Sequence, residues 1–311
     1  MPHEPGQSRT QRVRTSLAVF KERERERGTA MPETFREAVS SELGQAFNSP
    51  YQIPITVVAN ALLMAVCWFL LPRGWLFTVT SSLAFPLILS SWMYSDVPAT
   101  NVLAPDRVRF LEALDDPKML NRLLSAKAAV LWIFVAPFCS LLAVIVGLRN
   151  HSVLLIITAV IGICVIPVGC LPVANLVGIY WPYHPLELKY RWENRRPWFR
   201  MIVRWTILIL VPYGLVPTLG ILMLTPAIFL LVRAKEDNSH VVNFVNAIGK
   251  QFGFQIDPGT HPMSTAMFAT CIAVTCGVAV LTWTIGRWAG LRAIHRRRNK
   301  IEAWLSDPTM G

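Results

Sequence analysis

Long apolar runs without a charge alternate with charged segments along the chain, at 55–71, 75–94, 128–148, 153–179, 205–232 and 265–286. A helix needs about 20 apolar residues to cross ~30 Å of hydrocarbon. The pattern therefore predicts an all-α polytopic membrane protein with six transmembrane helices. Ahead of the first run, "PETFREAVSSELGQAF" (32–47) places Phe35, Val39, Leu43 and Phe47 every fourth residue, an apolar stripe along one helical face. Pro32 and a Thr34-x-x-Glu37 capping box mark the start of that helix. The preceding "KERERERG" (21–28) reads as a solvated helix end.

Two runs carry finer punctuation. Pro117, preceded by Asp115 and Asp116, suits a first helical turn, where its missing N–H is not needed and acidic groups meet the positive end of the helix. A short helix over 117–127 is expected to run directly into the third span. The fifth run has 28 residues, about 42 Å of helix at ~1.5 Å per residue. With Pro212, Pro217, Pro226, Gly214 and Gly220 inside it, a broken helix is expected.

Composition agrees: 53% of residues are hydrophobic and 16% charged, with a mean hydropathy of +0.42. The leader before the first run lacks a short apolar core with a small-residue cleavage site, so it is not read as a signal peptide. Charge gives the orientation. Of the 30 Lys and Arg, 25 fall before 55, in 95–127, in 182–204 and from 287 onward, segments that six spans place on one side. Cytoplasmic flanks retain positive charge, so both termini are expected in the cytoplasm. Three regions follow: a cytoplasmic leader (1–54) with its amphipathic helix, a six-helix membrane domain (55–290) and a basic cytoplasmic tail (291–311). The same partition accounts for the net charge of +11 through clusters facing anionic lipid, and no nucleic-acid partner is expected.

Catalytic chemistry is not indicated. The six cysteines lie within the apolar runs without C-x-x-C or Cys/His spacing, and read as packing residues rather than metal ligands or disulfides. The histidines are scattered. No G-x-S-x-G, H-E-x-x-H or intramembrane acidic pair occurs, so no enzyme activity is expected of the chain itself. Asp96, the acidic residue nearest a span, follows the second run and is expected to face water. Arg204 and Arg287, near cytoplasmic ends, are expected to snorkel to headgroups. Ion-coupled carriers place ionisable groups inside their spans, and these runs lack them, so transport would draw its energy from outside the membrane domain. A phosphate-cradling G-x-x-x-x-G-K-[ST] is absent too; the Gly249-Lys250 pair is followed by Gln251.

Between the second and third runs, Leu114, Pro117, Lys118, Arg122, Leu123, Leu124, Ala126 and Lys127 match in spacing a pattern of leucine, proline, basic residues and "leucine-leucine-leucine-alanine-lysine", with Asp115 and Asp116 separating leucine and proline. After the fourth run, "LPVANLVGIYWPYHPLE" (171–187) holds Asn175, Leu176, Pro182, Tyr183 and Pro185 in the order "asparagine-leucine … proline-tyrosine-x-proline", with Ala174 in place of a glycine. On these motifs and the span pattern, residues 30–290 resemble the permease subunits of bacterial ABC type-2 exporters. The resemblance implies a half-transporter in a bacterial inner membrane, paired with a second permease subunit, identical or not. It would export an amphiphilic substrate using separate ATP-binding subunits that hold ATP and magnesium, leaving no cofactor in this chain. Loops 95–127 and 182–204 would seat on those subunits, with Arg107, Arg109, Glu112, Pro117, Lys118, Arg122, Lys127, Pro182, Tyr183, Pro185 and Glu187 as candidate contacts. The leader would supply a connecting helix along the inner membrane surface, through Phe35, Val39, Leu43 and Phe47. Short re-entrant helices would use the end of the fifth run or 238–254. The competing class is an ATP-independent membrane protein, either a secondary carrier or a scaffold.

Overall fold

Helix α1, Phe35–Ala46, begins where the capping pattern places it. Thr34 accepts from the Glu37 backbone N–H (3.2 Å), and the Glu37 carboxylate accepts from the N–H groups of Glu33 (3.0 Å) and Thr34 (3.4 Å). In this computed structural model the described residues are 31–47, 52–70, 84–149, 153–182, 198–233 and 265–306. They are mostly helical, with no strand among them. After α1 come α2 (Gln52–Leu70), α3 (Ala84–Ser95), the single turn α4 (Val97–Thr100), a 3₁₀ turn (Ala104–Asp106) and α5 (Arg107–Ala113). The long helices α6 (Pro117–Arg149), α7 (Val153–Tyr180), α8 (Trp198–Arg233) and α9 (Thr265–Arg296) follow, and α10 (Arg298–Ser306) closes the described chain.

Three helices are long and apolar enough to cross a membrane, over Pro117–Leu148, Ala159–Tyr180 and Ala269–Arg296. That is consistent with a membrane protein. Large side chains on the outer faces point the same way: Leu62 and Leu70 of α2, Leu141 and Leu148 of α6, Leu210 and Leu222 of α8, and Leu281 and Trp288 of α9 are exposed. A face this apolar suits hydrocarbon rather than water.

The start of α6 follows from its sequence. Asp116 accepts from the backbone N–H groups of Lys118 (2.8 Å) and Met119 (3.2 Å), satisfying donors that have no partner inside the helix. Pro117 occupies the position after it. The expected 117–127 helix is thus the first part of one helix reaching Arg149. The expected break in the fifth run is not observed: α8 is continuous from Trp198 to Arg233 with all three prolines inside it. Each proline removes one helical hydrogen bond and leaves one carbonyl free, and in long apolar helices side-chain hydroxyls and local adjustment re-satisfy such groups. Re-entrant helices over 238–254 fall outside the described residues.

Helix α7 is the hub. Its buried Ile163, Ile166, Cys170, Leu171 and Ala174 pack with Leu89 and Met93 of α3, Leu131 and Val135 of α6, and Val216 and Met223 of α8. Small residues let backbones approach: a Cβ on Gly169 would meet the Ala279 carbonyl of α9 at 2.9 Å, and one on Gly178 would run into the Thr100 carbonyl of α4. A second core lies at one end of the bundle. There Val102, Leu103, Phe110, Leu120, Leu123 and Leu124 meet Ile179 of α7, Ile294 of α9 and Ile301, Trp304 and Leu305 of α10, with Met31 against them. Parts of the leader, the 95–127 loop and the basic tail, which the charge pattern assigns to one side, therefore meet at one end.

Candidate functional site

The 97–127 segment folds as a helical corner. The Asp96 to Thr100 turn, buried at Ala99 and Thr100, lies on α7, where Asn175, its amide oriented to donate, reaches the carbonyls of Ala99 (2.6 Å) and Leu171 (3.1 Å). This assigns the motif asparagine a tie between corner and hub. Helix α5 then buries Arg109, Phe110 and Ala113, and the chain turns at 114–116 into α6.

Arg109 is 1% exposed. Its Nε donates to Asp106 (2.9 Å) and its Nη1 to Ser41 Oγ of α1 (3.0 Å), while Nη2 pairs with both Glu42 and Asp106. Lys127 Nζ lies 2.8 Å from the other Glu42 oxygen and 3.6 Å from Asp106, with the Phe110 ring 5.8 Å away. Two anions and two cations from α1, the corner and α6 thus neutralise one another in a nearly dry place, with Ser41 completing the bonds. Burial alone would lower the Arg109 pKa, but hydrogen bonding and charge from Asp106, and then Glu42, hold it above its ordinary value.

Arg107 and Arg122 of the segment also bond inward, and so do Arg287 and Arg297 from beyond it. Arg107 donates to the Leu305 (3.0 Å) and Ser306 (3.3 Å) carbonyls at the end of α10, where a cation meets the negative pole of a helix. Arg122 donates to the Pro32 carbonyl ahead of α1 (2.7 Å). Arg287, expected to snorkel, is instead buried and turned onto α6, donating to the Asn121 carbonyl (2.6 Å) and to Ser125 Oγ, with the Trp283 ring 5.2 Å away. Arg297 donates to the Ile179 carbonyl at the end of α7 (3.0 Å).

The structure therefore brings Arg107, Arg109, Arg122 and Lys127 into contacts within the chain and leaves Glu112, Pro117 and Lys118 exposed at the tip. Beside them, exposed Asp115 pairs with Arg298. Pro182 ends the described stretch after α7, and Tyr183, Pro185 and Glu187 lie outside the described residues. On α1 the docking face is Ala38, Glu42 and Ala46. The stripe beside it keeps Phe35 at 50% and Phe47 at 58% exposure, with Val39 and Leu43 partly covered, and the Phe47 ring tilts onto Phe134 of α6 at 5.4 Å.

Glu42 and Asp106 are the site residues that sequence reasoning missed. Asp106 and Arg109 stand three apart, a spacing that pairs charges on a helix face, and Glu42 interrupts an otherwise small and apolar face of α1. Asp96 also departs from expectation. It is half-buried, caps α4 by accepting from Val97 N–H (2.6 Å), and accepts from Asn60 Nδ2 of α2 (2.7 Å). No family model matches the chain, and neither a characterised protein nor a solved structure does.

Proposed function

We propose that this chain is the permease half of an ATP-driven exporter, coupled through the tip of the 97–127 corner to a separate ATP-binding subunit. The observation that carries the reading is the mounting of that tip. Its exposed residues sit on a corner fixed to α1 and α6 by three buried charges and the largely covered Lys127, so a push on the tip is delivered to a long apolar helix and to the leader helix together. A solvated linker has no need of that construction. Under this reading the end that gathers the leader, corner and tail faces the cytoplasm of a bacterial inner membrane, all six apolar runs cross it, and α1 lies along its surface with Phe35 and Phe47 toward lipid. The path for an amphiphilic substrate runs between two such halves. Closure of the ATP-binding subunits tilts each half through its corner.

Because Arg109 is part of the internal lattice, reversing it would unfold the corner whether or not a partner exists. The test therefore uses the tip. Glu112→Lys with Lys118→Glu is expected to leave insertion and the gel-filtration profile unchanged, because exposed substitutions shift stability within about 0.5 kcal/mol. At a docked contact, repulsion or a lost charge partner weakens association by about 2–5 kcal/mol, so the ATP-binding subunit should no longer co-elute. A double variant that keeps its partner and its ATP hydrolysis rules out this coupling route.

A further inference from the structure

We infer that Asp96, Asn60, Tyr213 and Trp92 form a binding site for amphiphilic organic cations. Asn60 is the sole amide in the apolar run 55–71, and it is buried. Its Nδ2 donates to Asp96 (2.7 Å) and to the Thr56 carbonyl (3.0 Å), and its Oδ1 accepts from the Tyr213 hydroxyl of α8 (3.4 Å). The Tyr213 ring stands edge-on to Trp92, 6.0 Å between centroids, and Trp92 lies one helical turn before Asp96. Three apolar helices thus converge on one carboxylate.

The partners of that carboxylate are neutral. Asp96 accepts from Val97 N–H and from the Asn60 amide, which leaves further lone pairs, and among the described residues no Lys, Arg or His pairs with it. In the Glu42 cluster, by contrast, every buried charge has an opposite. A carboxylate held among apolar helices without a counter-charge attracts a cation, and the faces of a tryptophan and a tyrosine stabilise an alkylated cation whose hydrocarbon substituents suit the surrounding side chains. A hydrated metal ion would leave the rings without a role. Asp96 opens the segment that leads into the corner, so an occupant would touch the part that the proposed ATP-binding subunit moves. As a statement about transported substrate, the inference rests on the permease reading; as a binding site, it is tested on the chain alone.

The experiment is equilibrium dialysis of radiolabelled tetraphenylphosphonium against the purified full chain in zwitterionic nanodiscs. Saturable binding at one site per chain is expected, displaced by dodecyltrimethylammonium and not by the isosteric dodecyl sulfonate. Asp96→Asn, which retains the cap because Asn caps as well as Asp, should bind at least about tenfold more weakly, the loss of roughly one charge–charge contact. Tyr213→Phe, which keeps the ring, should stay within about threefold on the cation–π expectation. Absence of saturable binding to the wild-type chain, equal displacement by the sulfonate, or unchanged affinity in a folded Asp96→Asn overturns the inference. Because displacement is measured on the wild type, a misfolded variant does not decide the outcome. Loss of the cation site would leave the coupling reading standing, and absence of an ATP-binding partner would leave a confirmed cation site standing.

Discussion

Glu42, Asp106, Arg109 and Lys127 hold one another in a place that water barely reaches, and their value lies in being complete. Breaking a buried ion pair by removing one partner costs about 3–5 kcal/mol, because the remaining charge stays buried and unpaired. Glu42→Gln, which leaves two cations facing one anion, is expected to lower the thermal midpoint of the detergent-purified chain clearly. Arg36→Gln on the exposed side of the same helix should leave it nearly unchanged. Equal midpoints for the two variants would mean that the cluster is screened by solvent and does not fix the corner. Basic residues in the 95–127 loop were visible in the sequence, as was their excess on one side. Which of them faced inward was not, because a guanidinium three residues from an aspartate reads the same on a solvated helix as in a buried pair. Glu42, more than sixty residues away, becomes a partner only when the leader folds back.

Elements with local signals were legible. The Thr34/Glu37 box set the start of α1 to within a few residues, and Asp116-Pro117 set the start of α6, because both depend on groups close in sequence. Helix α8 is the counterexample: its prolines suggested a break, yet the run is continuous, since propensity rules drawn from water lose force where helices are long and apolar. The stripe on α1 was also legible, but its role divides. Ala38, Glu42 and Ala46 dock onto the protein, whereas Phe35 and Phe47 remain largely exposed beside them. If α1 lies on a membrane, a nitroxide placed through Phe35→Cys should collide readily with oxygen and poorly with a polar nickel complex, and one placed through Arg36→Cys should do the reverse. Matching accessibility at the two sites would put the stripe in water. Burying a side chain of that size contributes about 2 kcal/mol, so a helix with two such groups has reason to stay on the surface.

At the scale of the whole molecule, helices with exposed apolar faces, a second core at one end and a tip mounted on that core are the features that the proposed permease reading uses as a lever. The alternation of runs anticipated the helical character, while the charge split assigned leader, loop and tail to one side without indicating that they pack on one another. They could not anticipate the polar group around Asp96, because its members come from α2, α3 and α8 and a lone carboxylate after a span looks like one in water. Under the proposed reading, that lever has a purpose only if something drives it. The direct measurement is purification of the tagged wild-type chain from its source membranes in mild detergent without crosslinker, followed by mass spectrometry of the gel-filtration peak and a vanadate-sensitive ATP hydrolysis assay. The account predicts a P-loop ATPase subunit at a fixed stoichiometry to this chain and hydrolysis that travels with the peak. An intact, monodisperse membrane protein that repeatedly elutes without such a subunit, and without hydrolysis, would contradict it.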